Sequence, residues 1–463
     1  MQKGISMATL DRWRGFLVTP QTVQFKRLEL IGRDHEPSIV VGTGEVRMTS
    51  PAVFEFTLTG IPKDIAHALA TINRAEREPY NPLARCRLLG TDHDDVDWNG
   101  GWTVPRMEDG ETTWTFTGEI DSLVTIDKSS TVPPQASTEL IFSASPGHLM
   151  ALALGRFART KQPGGGYRKE HELELLGSNI RFTYDPTTHI LSVTASYSDD
   201  LPHPFAENWL GKPFRILFGQ LIFPRLVARN MGNGRAHVCV RPSPGLIPAA
   251  RWAALWEPSD LRHKEPFWAC YSNILSLIAR ARDDDGQPNF EAHKVTRLYQ
   301  EIIQVARGSR WVWALTFSSS IEALARMISE QSESATKPTK EEVESKNAET
   351  EPTERLVEHI SLGPGEARLR QIAVNAVRRD AQITTIKTLR KLKADGVITG
   401  NQLSSWEAIR HAVMHGSLVS PYSTEEEDTR LLELAAMMHA LTRKLLRRSV
   451  IGSAEQPSSQ LQG

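Results

Sequence analysis

The stretch Trp406-Glu407-Ala408-Ile409-Arg410-His411-Ala412-Val413-Met414-His415-Gly416 gathers one guanidinium and two imidazoles within six residues. Trp406, Ile409 and Val413 recur at steps of three and four, the stripe that an amphipathic helix turns inward. Ser404 followed by Glu407 has capping-box spacing, and Gly416 suits a left-handed C-cap, so a short helix is expected over residues 405–415. His411 and His415 then share a face one turn apart, with Arg410 beside them at its rim.

That trio suits metal-free phosphodiester chemistry. A guanidinium holds phosphate in a bidentate fork and keeps its charge. Histidine gives or takes a proton near neutrality, and His415 in the last turn feels a helix dipole that favours imidazolium. With such groups an RNA 2′-hydroxyl can attack the adjacent phosphate, one imidazole taking its proton and another protonating the departing 5′-oxygen. The products would be a 2′,3′-cyclic phosphate and a 5′-hydroxyl. No metal and no cofactor is needed for this.

Working outward, Thr424 and Glu427 mark the start of a second helix expected to run to about Arg448, with Leu434, Met437, Met438, Leu441 and Leu445 on one face. That stripe reads as helical core or dimer interface. Upstream, Phe317, Ile321, Leu324 and Ile328 share helical spacing, as do Trp268, Tyr271, Ile274, Ile278 and Ala281. Residues 329–354 are rich in Glu, Ser, Thr and Lys and read as a disordered insertion. The half before about residue 245 alternates apolar and polar residues in short runs, among them Phe25–Ile31, Val53–Leu58, Thr113–Phe116 and Leu140–Ser143. Ile180–Thr183 and Ile190–Ala195 flank an Asp185-Pro186 turn and read as a hairpin; Pro213–Val227 fits helix or buried strand equally. The expected architecture is multi-domain α+β: a β-rich region over 1–245, a helical connector over 246–310, an all-α helical bundle over 311–450, and a flexible tail over 451–463.

The run Arg410-His411-x-x-x-His415 resembles the Arg-polar-x-x-x-His signature of HEPN ribonucleases, and Trp406–Gly416 is most similar to the Apea-like branch. The resemblance covers roughly Trp311–Arg448. More loosely, Trp13-Arg14-Gly15 and Pro224-Arg225-Leu226-Val227-Ala228-Arg229-Asn230 resemble the N-terminal domain that accompanies such modules. The resemblance implies a helical bundle that forms a homodimer with its motifs facing each other. It also implies a role in bacterial anti-phage defence by abortive infection, and an N-terminal region that senses an unknown phage-derived trigger or restrains the nuclease. The family often carries an acidic residue on an earlier helix, and Glu322 is the candidate here, able to orient Arg410 or a histidine. An ordinary surface glutamate is the competing reading.

Other readings stay open. Glu407, His411 and His415 recur every four residues and could hold zinc, though no H-E-x-x-H is present. The helical region could be a non-catalytic dimerisation or nucleotide-binding platform, with the β-rich half as ligand receptor. In a purely structural reading Arg410 pairs with a carboxylate and the histidines with backbone. Lys387, Arg390 and Lys391, with Lys393, Arg368, Arg370, Arg378 and Arg379, make a locally basic region that could bind RNA phosphates or simply be solvated.

Composition sets bounds. Lys and Arg number 54 against 55 Asp and Glu, so no global charge announces a nucleic-acid or membrane partner. Cys86, Cys239 and Cys270 form no C-x-x-C pair and suggest buried thiols. The first 18 residues contain Asp11, Arg12 and Arg14 where a signal peptide would be apolar, and the apolar runs are too short to span a bilayer. A cytoplasmic protein without membrane contact is expected.

Overall fold

The computed structural model describes residues 9–32, 37–108, 110, 113–130, 132–143, 148–161, 167–243, 251–256, 264–305, 308–335, 358–359, 385–414 and 424–454. The chain is α+β and divides into two compact units, one ending at Thr296 and one beginning at Arg297.

The first unit is built on antiparallel sheet. Its strands are β1 (Gln21–Ile31), β2 (Ser38–Ser50), β3 (Val53–Pro62), β4 (Cys86–Asp92), β5 (Asp97–Thr103), β6 (Arg106–Glu108), β7 (Trp114–Glu119), β8 (Leu123–Asp127), β9 (Ser137–Ser143), β10 (Thr160–Lys161), β11 (Tyr167–Arg168), β12 (Glu170–Leu175), β13 (Ser178–Asp185), β14 (Ile190–Ser196), β15 (Leu226–Asn230) and β16 (Ala236–Val240). Among the described residues, fourteen of these form one sheet in the order β12-β13-β14-β9-β15-β16-β8-β5-β4-β1-β2-β3-β7-β6. Period-two burial places Phe54, Phe56 and Leu58 of β3 inward, as sequence alternation predicts. The 180–183 and 190–195 runs pair as the expected hairpin, Ile180 opposite Ala195. The ambiguous 213–227 stretch resolves into both answers: a short helix, Lys212–Phe218, followed by strand β15. Gly42 and Gly44 let β2 lie close to β3, because a Cβ on either would meet the Thr59 or Thr57 carbonyl oxygen at 1.9 or 2.0 Å.

Chain connectivity shows how the sheet bends. Only Val104 and Pro105 separate the end of β5 from β6, yet five strands, β4, β1, β2, β3 and β7, lie between them in the sheet order. Such a short link requires the sheet to curl back upon itself. Phe25, Leu28, Val46, Phe54, Phe56, Leu88 and Phe116 fill the interior.

Arg225 is one of several polar residues buried in this unit, with Asp127, Glu139 and Asn230 among the others. It is 1% exposed. Its guanidinium donates to the carbonyls of Phe16, Pro51 and Arg241 at 2.9–3.1 Å and lies 4.5 Å from the Phe54 ring centroid. Burial lowers its pKa to about 10, so it remains charged at neutral pH. The same unit takes in α-helix Lys264–Ala279, which lies in the stretch that the sequence reading assigns to a connector. The reason is aromatic: Trp268 lies 4.6 Å and Tyr271 5.1 Å, between ring centroids, from Phe182 of β13.

Among the described residues the α-helices are α1 (Ile65–Arg77), α2 (His148–Phe157), α3 (Phe205–Trp209), α4 (Lys212–Phe218), α5 (Lys264–Ala279), α6 (Lys294–Val305), α7 (Arg310–Ala335), α8 (Thr385–Ala394), α9 (Gly400–Met414) and α10 (Glu425–Ala454). In the second unit α7 packs on α8, α9 and α10. Phe317, Ile321, Leu324 and Ile328 are buried on α7, and Leu434, Met437, Met438, Leu441 and Leu445 on α10. Helix α7 continues through Ser329–Ala335, residues that composition alone assigns to a disordered insertion. Extending an existing helix needs no new nucleus, and Glu, Gln and Ala propagate it well. Helix α10 likewise runs to Ala454, four residues into the expected tail.

Candidate functional site

Helix α9 begins earlier than the Ser404–Glu407 pattern suggests. Thr399 is the reciprocal cap: its Oγ1 accepts from Gln402 N at 3.2 Å, and Gln402 Oε1 accepts from Thr399 N at 2.9 Å. Ser404 and Glu407 therefore sit inside the helix. The start of α10 is capped as expected, with Glu427 N donating to Thr424 Oγ1 at 3.3 Å.

Trp406 and Ile409 are buried, as their spacing predicts. Arg410 and His411 are exposed. Arg410 Nε donates to Glu322 Oε1 at 2.7 Å, joining α9 to α7, with the two side chains 48% and 32% exposed. One turn earlier on each helix, Trp406 Nε1 points at the Ser318 carbonyl oxygen at 3.5 Å. Both contacts advance by four residues on both helices, so α7 and α9 run in the same direction here. The Arg410 guanidinium also lies 5.6 Å from the Trp406 ring centroid. The indole is thus both a core anchor and a support for Arg410. That second role was legible in the i, i+4 spacing, but the core stripe absorbs Trp406 first.

Lys387, Arg390 and Lys391 are exposed on α8. Arg390 reaches Glu407 at 3.9 Å, which places its cation one turn of α9 from Arg410. The same contact engages the first member of the alternative metal triple. His415, Gly416, Arg368, Arg370, Arg378 and Arg379 lie outside the described residues. The structure therefore brings together Arg410, Glu322 and Trp406, leaves His411 next along the helix, and sets Arg390 nearby.

A second polar cluster of this unit was not marked in the sequence. Tyr299 on α6 shares its hydroxyl with His439 Nδ1 at 2.9 Å and Thr442 Oγ1 at 3.3 Å, all three buried. Thr442 in turn donates to the Met438 carbonyl oxygen at 2.9 Å. His439 and Thr442 lie within the apolar stripe of α10, so apolar periodicity hides them. Among the described residues, no group of three or more His, Cys, Asp or Glu side chains is placed to hold a metal ion, and no helix is long and apolar enough to cross a membrane.

No family model, no curated protein and no solved structure matches this chain.

Proposed function

We propose that the chain is a metal-independent endoribonuclease of the HEPN type, with α7–α10 as its helical bundle. The observation that carries this reading is the Arg410–Glu322 pair at an exposed helix junction, beside His411 and within the Arg410-x4-His415 motif. In the reaction the 2′-oxygen forms a bond to phosphorus and the P–O5′ bond breaks. One imidazole of His411 and His415 takes the 2′-hydroxyl proton, and the other supplies a proton to the 5′-oxygen. Arg410 balances the added negative charge at phosphorus, and Glu322 holds the guanidinium in position. Lys387, Arg390 and Lys391 steer RNA by its phosphates. A homodimer would bring two motifs to one substrate. The first unit would sense a trigger or restrain the nuclease in anti-phage defence inside the cell.

A second reading has its own support. A paired Arg410 is also what a non-catalytic platform would contain, with the ion pair tying α7 to α9 and leaving ligand recognition to the first unit.

The deciding experiment is cleavage of a single-stranded RNA panel by wild type, Arg410→Ala and His415→Ala, with and without EDTA. The nuclease reading expects cyclic-phosphate ends from wild type in EDTA and their loss in both variants. Undiminished cleavage by both variants rejects the assignment; RNA binding without cleavage by wild type supports the platform.

A further inference from the structure

The first unit includes a segment that joins its core without joining its sheet. Thr9–Leu17 is a 3-10 helix, and among the described residues it pairs with no strand. At three residues per turn, Leu10, Trp13 and Phe16 fall on one stripe. Leu10 is 1% and Trp13 7% exposed, and Phe16 packs against the same core. Buried side chains of the sheet hold the segment. The two oxygens of Glu139, on β9, accept from the main-chain amides of Thr9 and Leu10 at 3.1 Å each. Asn230, on β15, accepts from the Thr9 hydroxyl at 2.7 Å. Asp127, on β8, accepts from the Trp13 indole at 2.9 Å and from Arg12 at 3.3 Å, and Arg225 donates to the Phe16 carbonyl oxygen.

Each charged anchor also has a partner outside the segment. Glu139 accepts from Asn230 Nδ2 at 2.9 Å, Asp127 accepts from Ser129 N at 2.8 Å, and Arg225 donates to the carbonyls of Pro51 and Arg241. Docking strips water from two carboxylates, so lifting the segment rehydrates them and offsets the exposure of Leu10 and Trp13. The hydrogen bonds that join β8, β16, β15 and β9 are made without the segment. The cost of release is therefore confined to the segment, the pattern of a local opening rather than of global unfolding. Arg12, Trp13 and Asp127 also line a cavity of about 640 Å³, where β5 and β8, paired at Asn99 and Val124, part from each other.

We propose that Thr9–Leu17 is a detachable strap, and that the groove beneath it is a peptide site which the chain fills with its own segment. The groove reads a short helical turn. The first amides of such a turn have no partner within it, and Glu139 takes two of them. Apolar side chains at steps of three then enter the core, with an indole N–H aimed at Asp127. The proposal concerns the first unit alone and does not depend on the ribonuclease reading.

Hydrogen exchange of the full chain, read by mass spectrometry, tests release. Residues 9–17 are expected to exchange roughly tenfold or more faster than β9, β15 and β16. Leu10→Ala, a change on the strap alone, is expected to speed exchange of the strap further and leave the three strands unchanged. Strap and strands that exchange together, or that Leu10→Ala accelerates together, overturn detachment. Rebinding is tested on a full-length Leu10→Ser, Trp13→Ala variant with a fluorescent, acetylated peptide of residues 8–18. Saturable binding is expected, falling roughly tenfold or more when Glu139→Gln is added, and wild type is expected to bind the peptide more weakly because its own strap competes at high effective concentration. Absence of binding by the strap variant, or binding that Glu139→Gln leaves undiminished, overturns the groove as a peptide site. Failure of the strap variant to fold counts against the proposal as well, since a segment that the sheet cannot stand without is not a strap.

Discussion

Arg410 and Glu322 stand 88 residues apart in sequence and meet at 2.7 Å across α9 and α7. Their side chains remain partly open to solvent, and the indole of Trp406 lies near the guanidinium on the buried side. Exposed ion pairs contribute little to stability, because water screens them and holding two long side chains costs entropy. The pair is therefore a better device for aiming a guanidinium than for holding the fold together.

We predict that Glu322→Gln changes unfolding free energy by less than about 1 kcal/mol yet lowers RNA cleavage by tenfold or more. Denaturant melts and the rate of cyclic-phosphate formation measure the two quantities. Unchanged cleavage with a substantial loss of stability would make the pair a structural tie.

Arg225 has the opposite character. Substituting Met removes the donors to three buried carbonyls, those of Phe16, Pro51 and Arg241. Each orphaned acceptor costs about 1–3 kcal/mol, partly relieved by recovering the desolvation of the charge. Arg225→Met is expected to lower the stability of the first unit by about 3 kcal/mol or more, seen as a fall in the urea midpoint. Wild-type stability in this variant would mean that water or backbone movement replaces the guanidinium.

Helix α9 offers a direct comparison of two capping patterns. Thr399→Ala removes a side-chain acceptor from Gln402 N and is expected to cost about 1 kcal/mol. Ser404→Ala, inside the helix, is expected to be neutral or slightly stabilising. Thermal melts of the two variants check this; the reverse order would return the cap to Ser404.

His293 caps the start of α6, where its Nδ1 accepts from Val295 N at 3.2 Å. Burial, with Lys294 adding repulsion, lowers its pKa from 6.5 to about 4. The unfolded chain therefore binds a proton first as pH falls. The contribution of the neutral ring is fully present above about pH 6.5 and is lost as pH falls through about 4. Between pH 7 and pH 4 wild type is expected to lose on the order of 2 kcal/mol more than His293→Asn, which keeps a capping acceptor without the titration. Parallel pH profiles of the two proteins would remove this assignment.

The buried Tyr299 hydroxyl joins His439 and Thr442. Tyr299→Phe keeps the ring and removes the shared hydroxyl, so a loss of about 1–2 kcal/mol is expected. A double-mutant cycle with His439→Ala should show coupling between the two positions, and strict additivity would deny the network a role.

Local pattern alone was enough to locate much of this. The alternation of Val53–Leu58, the paired runs around Asp185-Pro186, the apolar stripes of α7 and α10 and the Thr424 cap all follow from side-chain period and turn chemistry, which are properties of neighbours in sequence. The same local information marked Arg410 as a candidate and gave Trp406 its buried side, whereas Glu322 was a candidate only through the family resemblance. It mistook the cap of α9 because two Ser/Thr-x-x-Glu/Gln patterns lie five residues apart, and only the backbone's departure from helix at Thr399 selects between them. What tertiary structure alone decided are the meetings of distant residues: Arg410 with Glu322, Tyr299 with His439, Arg225 with three separate carbonyls, and Glu55 with Glu119 across β3 and β7. Strand register, helix packing and the roll of the sheet set those distances, and they arise from burying surface over the whole unit, which no local window of sequence contains.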